Sequence, residues 1–197
     1  MSYQDIKEHW TEIQIDGETY KICYDFASIG ALMERFNKPF HEAIALGDVL
    51  SMGSIDDYID FCYIGFKKYQ PDMDRELIAN YPFITSLLVK CTTTYSKVNQ
   101  EPEQWREIVY IDTPKGEEPK KKRSNLTIDW FYYKAIQFGL TRQEFWSSNP
   151  RQLMILIMHH LIENGGIKTK QQVEQERQKS IEKTIAMFGA KDNRSKK

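Results

Sequence analysis

The stretch TEIQIDGETYKICYDFASIGALMERF, residues 11–36, changes period in its middle. Ile13 and Ile15 alternate with polar neighbours before Asp16-Gly17, and Tyr20, Ile22 and Tyr24 alternate after it. A period of two is that of a strand with one covered face, and Asp-Gly supplies the positive φ that a two-residue hairpin turn demands. Past Asp25 the period becomes 3.6, with Phe26, Ile29, Leu32, Met33 and Phe36 on one helical face. This predicts a β-hairpin that runs directly into an amphipathic helix. A lone hairpin is marginal in water, so one face of the ribbon must be covered. The expected fold is mainly α with a small N-terminal β-hairpin (α+β).

Working outward, Asn37-Lys38-Pro39 stops the helix, and Pro39 suits the first position of the next. Phe40, Ala43, Ile44 and Val49 continue the apolar pattern up to Gly53. Ser54 with Asp57 resembles a capping box. It opens a stripe of Ile55, Tyr58, Ile59, Cys62, Phe66 and Tyr69 that Pro71 ends. A short helix is predicted over 75–80 and a longer one over 83–95, burying Leu87, Leu88 and Cys91.

Residues 97–125 hold three prolines, one glycine and dense charge, which reads as a linker. Ile108–Ile111 is its only strand candidate, and Lys120–Arg123 its basic run. Helix signals return beyond it. Thr127 caps a helix carrying Ile128, Phe131, Tyr132, Ala135 and Phe138, and Gly139 closes it. Thr141 and Glu144 form a capping box. Asn149-Pro150 starts a further helix lined by Leu153, Leu156, Ile157, His160 and Leu161, which Gly165-Gly166 stops. Residues 169–188 read as a solvated helix with a thin stripe (Val173, Ile181, Ile185) that needs a partner. The expected organisation is a hairpin-plus-helix domain over 1–96, the linker over 97–125, a small helical domain over 126–166 and a polar tail over 167–197.

Composition bounds the chemistry. The 197 residues carry a net charge of −1. Residues 1–96 hold 15 acids and 8 bases, whereas 126–197 hold 7 acids and 12 bases. Near-neutrality of the whole argues against a generic polyanion binder. The three cysteines are widely spaced and form no CxxC, so neither a zinc site nor a disulfide framework is expected. The N-terminal MSYQDIKEHW has no apolar run, so no secretory signal is expected, and no stretch is apolar for long enough to cross a membrane.

No catalytic constellation emerges. Asp56, Asp57 and Asp60 sit in the first turns of a helix, where carboxylates meet the positive end of the dipole. His159 and His160 are adjacent, project about 100° apart and cannot chelate one ion together. GxSxG is absent, and Gly165–Thr169 lacks the spacing of a phosphate loop. Neither enzyme activity, a cofactor nor a metal is expected. The basic run and the positive back half leave one alternative, a nucleic-acid-associated helical adaptor.

Two stretches carry a resemblance. The front, Ile13 to Glu34, follows the pattern I-x-I-(N/D)-G-x-x-Y-x-(L/I) and then a helix. The back, Gly139-Leu140-Thr141-Arg142-Gln143-Glu144-Phe145-Trp146 followed by Asn149-Pro150, follows Gly-Leu-(Ser/Thr)-x-x-Glu-Phe-(Trp/Tyr) with a Pro shortly after. Together, over about 11–70 and 126–162, they resemble tail assembly chaperones of long-tailed bacteriophages, in the long form with a C-terminal extension. Gln152 departs from the pattern, which carries an acid there.

The resemblance implies a protein of the host bacterial cytoplasm that binds and solubilises the tape measure protein and recruits tail tube protein. It would act by reversible binding, without catalysis. The long form is implied to arise by ribosomal frameshifting, for which a Lys-Lys-Lys run can supply an adenine tract. Self-association is a further possibility. The candidate partner contacts are Tyr58 and Phe66 in the front and Leu140, Phe145, Trp146 and Pro150 in the back. Phe145 and Trp146 read first as core, since amphipathic stripes bury most of their aromatics, and second as exposed anchors.

Overall fold

The computed structural model describes residues 9–45, 54–100, 102, 108–110, 127–164 and 166–192. The fold is mainly α with a small antiparallel N-terminal hairpin. The described residues divide into two units. One draws on 1–102 and 121–157, the other on 103–120 and 158–197.

In the first unit, β1 (Trp10–Ile15) pairs with β2 (Glu18–Cys23), with Ile13 opposite Tyr20 and Ile15 opposite Glu18. Asp16 and Gly17 both take positive φ, 52° and 85°, the signature of a type I′ turn. Ile13, Ile15 and Ile22 are buried, so alternation does place one face inward. Helix α1 (Phe26–Phe36) starts at Asp25, whose carboxylate accepts from the Ser28 amide at 2.8 Å. Asn37 closes it in the left-handed region at φ 50°. There the Lys38 amide reaches Met33 and the Asn37 amide reaches Glu34, satisfying two end carbonyls.

Helix α2 (Phe40–Ile44) follows, with Pro39 at its N-cap, one position earlier than expected. Ser54 caps α3 (Ile55–Phe66), and Asp74 caps α4 (Arg75–Ala79). Helix α5 (Ile84–Asn99) runs beyond the expected domain end at 96, so the first residues assigned to the linker are helical. Val49, Gly53, Gly165, Lys120–Arg123 and most of the linker lie outside the described residues.

Helices α3 and α5 cover the hairpin, and α1 packs on α3. Tyr24 is the pin of this layer. Its ring stacks on Phe61 at 5.1 Å, meets Tyr95 edge-on at 5.0 Å, and its hydroxyl donates to the Phe61 carbonyl at 3.0 Å. Gly65 leaves room for that ring: a Cβ there would stand 2.6 Å from the Tyr24 hydroxyl oxygen.

The back stretch is not a separate domain, contrary to expectation. Helix α6 (Ile128–Gln137), helix α7 (Arg142–Ser147) and the first part of α8 (Pro150–Glu163) belong to the first unit. Phe26 is the reason. It stacks on Phe145 at 4.5 Å and packs on Phe131 at 5.3 Å, and Phe40 meets Phe131 at 5.5 Å. An apolar stripe shows that a helix has a buried face but not which distant segment buries it.

Local signals hold in the back. Thr141 and Glu144 form a reciprocal capping box. Gly139, at φ 81°, closes α6 with the Leu140 amide on Ala135 and the Gly139 amide on Ile136. Asn149 and Gln152 also cap reciprocally, each amide donating to the other side chain at 3.0 Å. Gln152 thus serves as a box residue without a carboxylate. The stripe expected on α8 is only partly right. Leu153, Ile155 and Ile157 are buried, Leu156 is half-buried and His160 is exposed.

In the second unit, β3 (Ile108–Tyr110) pairs antiparallel with β4 (Ile167–Thr169). The first strand was expected; the second was read only as the stop of a helix. Helix α9 (Lys170–Asp192) lies against both strands, starting at a Thr169–Gln172 reciprocal cap. Its residues 171–183 are all exposed, including Val173 and Ile181.

Two glycines should respond oppositely to alanine. Gly65→Ala forces a methyl into the Tyr24 ring and is expected to cost about 1–3 kcal/mol. Gly30→Ala meets only the Trp146 ring at 3.8 Å, an ordinary contact. It lies inside α1 and should stabilise by about 0.5–1 kcal/mol. Urea unfolding midpoints of the two variants check both signs.

Candidate interaction surface

Helix α6 departs from the usual surface helix. Phe131 and Ala135 face the core, which makes the opposite side the one expected to be polar. That side instead presents Trp130, Tyr133 and Ile136, at 36%, 59% and 46% exposure, with Tyr132 beside them. Contiguous exposed apolar side chains mark a place where something docks. The run Trp130-Phe131-Tyr132-Tyr133 carries this signal in the sequence, because an aromatic run cannot turn every side chain inward on one helix.

Helix α7 is fixed beside α6 by three ties to the front. The Phe26 amide donates to the Ser148 carbonyl at 2.9 Å. The Lys68 ammonium donates to the Ser147 carbonyl and lies 3.5 Å from the Asp25 carboxylate. The Phe26–Phe145 stack is the third. Trp146 is thereby left half-buried, packed edge-on against Phe145 at 5.1 Å.

Two hollows flank Trp146. One, of about 530 Å³, is lined by Asp25, Ala27, Arg142, Gln143, Trp146 and Ser147. The other, of about 340 Å³, is lined by Ile128, Asp129, Tyr132, Arg142, Phe145 and Trp146. Trp146 and Arg142 border both. Asp25 is engaged by Ser28 and Lys68. Among the described residues Arg142 has no carboxylate within ion-pair distance, and it is exposed.

The six expected contact residues divide accordingly. Phe66 and Phe145 are wholly buried and Pro150 is buried, so none of the three is a surface anchor. Phe145 instead forms the wall against which Trp146 stands. Tyr58, Leu140 and Trp146 are half-buried, and of these only Trp146 borders the hollows. Trp130, Tyr133 and Arg142 were not singled out from sequence.

The acidic cluster of α3 has a structural role. Asp60 accepts from Arg75 at 2.6 Å and also from Arg35, while Asp57 pairs with Arg35 at 3.3 Å and Asp56 with Arg75 at 3.1 Å. Two arginines thus clamp α1 and α4 to α3. Among the described residues, no three His, Cys, Asp or Glu side chains come together to hold a metal. Cys23, Cys62 and Cys91 are all buried. A hydrogen bond with Cys91, together with burial, pushes the Cys62 thiol far up, away from thiolate reactivity. His159 is half-buried and His160 exposed, the latter's carbonyl accepting from Asn164 at 2.7 Å.

Comparison with known protein families, with characterised proteins and with solved structures finds no match to this chain. No helix among the described residues is long and apolar enough to cross a membrane.

The arginine clamp gives a pH signature. Burial pushes the Asp60 carboxyl up, but the hydrogen bonds from Arg75 and Arg35 outweigh it and hold the group below its usual value. A depressed carboxyl stabilises the fold above its unfolded pKa of about 3.9 and loses that contribution as pH falls through the folded value. Asp60→Asn should therefore lower the melting temperature at pH 7. The gap to the unmodified chain should narrow as pH falls from about 3.9 through the depressed folded value, as thermal melts across pH will report.

Proposed function

We propose that this chain is a tail assembly chaperone of a long-tailed bacteriophage, in its long form. It acts in the host cytoplasm by reversible binding and without catalysis. It keeps the tape measure protein soluble and brings tail tube protein to it. The observation that carries this reading is the pairing of the two motif stretches. The front pattern ends in Phe26 and its helix, the back pattern supplies Phe145 and Trp146, and these pack together in one unit. Residues far apart in sequence thus resemble one family and share one core.

The exposed Trp130, Tyr133 and Ile136 support a binding protein. A chaperone for a long, helical, aggregation-prone partner needs apolar surface outside its own core, held in place so that the partner can leave again. Trp146 is the back residue best situated for such contact, and the front residue Tyr58 is partly accessible.

Co-expression with the tape measure protein encoded beside it tests the reading. The soluble fraction of that protein should rise several-fold with the chain present. An unchanged fraction would contradict the proposal. The coding DNA adds a second check, since frameshifting requires a slippery adenine-rich heptamer near codons 120–122.

A further inference from the structure

We propose that the two hollows flanking Trp146 form one groove for a peptide segment that places a carboxylate between apolar side chains. The inference deepens the binding role above, on which it rests, by naming the chemistry the groove selects. Its apolar part is Ala27 on one side of the Trp146 ring and Ile128 with Tyr132 on the other. Volumes of about 530 and 340 Å³ each admit a large apolar side chain. A segment crossing the Trp146 ring would set one side chain into each hollow.

Charge selects what lies between them. Arg142 borders both hollows, is exposed, and has no carboxylate partner among the described residues. The nearby acids compete little for an incoming group. Asp25 is engaged by Lys68 and by the cap of α1. Asp129 borders one hollow only and lies in the first turn of α6, where the helix dipole meets its charge. A guanidinium beside an aromatic wall offers a carboxylate two parallel donors. A lysine at the same place would be repelled. A polyphosphate chain needs several cations in a row, and among the residues lining the two hollows Arg142 is the one cation, which disfavours nucleic acid as the occupant.

The test uses the full chain and fluorescein-labelled, alanine-based helical peptides, with binding read by fluorescence anisotropy. Each peptide carries two leucines two turns apart, at i and i+7, with glutamate, glutamine or lysine at i+4 between them on the same face. The glutamate peptide should bind about 10-fold more tightly than the glutamine one, as a charge-assisted bond in a partly enclosed groove implies. The lysine peptide should bind most weakly. Arg142→Glu should invert the order of the glutamate and lysine peptides. That variant puts an acid in the first turn of α7, where acids suit the helix dipole, and circular dichroism verifies its fold. Equal binding of the three peptides, an unchanged order on Arg142→Glu, or no binding at about 1 mM would overturn the inference. So would a single-stranded oligonucleotide that outcompetes the glutamate peptide. If the peptides fail while tape measure solubility still depends on the chain, the groove is wrong and the chaperone reading stands. If the peptide order inverts while solubility is unaffected, the groove stands and the chaperone reading fails.

Discussion

Phe26 holds the first unit together. Its ring lies between Phe145 and Phe131, its amide donates to the Ser148 carbonyl, and the cap residue before it pairs with Lys68, which also reaches Ser147. One residue at the start of α1 thus gathers a hairpin, a helix and a stretch more than a hundred positions away. Truncating a buried phenylalanine of this kind typically costs about 3–5 kcal/mol, a large share of what a domain has to spare. The rest follows from that anchor. Because Phe145 is inward, Trp146 is turned to the rim, and because Phe131 is inward, Trp130, Tyr133 and Ile136 face outward.

Features encoded within a few residues were legible in the sequence. Asp16-Gly17 specifies its turn, because only a pair tolerant of positive φ makes a type I′ hairpin. Thr141 with Glu144, Ser54, Thr127 and Gly139 mark helix ends through contacts no more than a turn away. Features that depend on distant partners were not legible. The stripe containing Phe26 announces burial, but nothing in its period says that Phe145 provides it. A separate back domain was the natural reading, since the charged stretch before it has no periodicity. Ile167–Thr169 is too short to show a strand period, and it is defined by pairing with Ile108–Tyr110.

The candidate site was half visible for the same reason. The back motif drew attention to Phe145 and Trp146 but could not tell the wall from the rim, because adjacent helical residues differ only by a rotation of about 100°. Phe66, read both in the apolar stripe of α3 and as a candidate partner contact, is core, since α3 is covered on that side by the hairpin through Tyr20. Arg142, in the first turn of α7, carries no mark of its own in the sequence. Its position between two hollows exists only once α1, α6 and α7 are assembled.

The central claim is that the front stretch and the back stretch form one cooperative unit through Phe26. The most direct measurement is equilibrium unfolding of a fragment containing residues 1–102, followed by circular dichroism and by near-ultraviolet signals from its aromatic rings. The account predicts that the fragment keeps helical signal but loses its near-ultraviolet bands and its sharp transition, because Phe26 and Phe40 have lost Phe131 and Phe145. A fragment that unfolds cooperatively at the same denaturant midpoint as the full chain would contradict it.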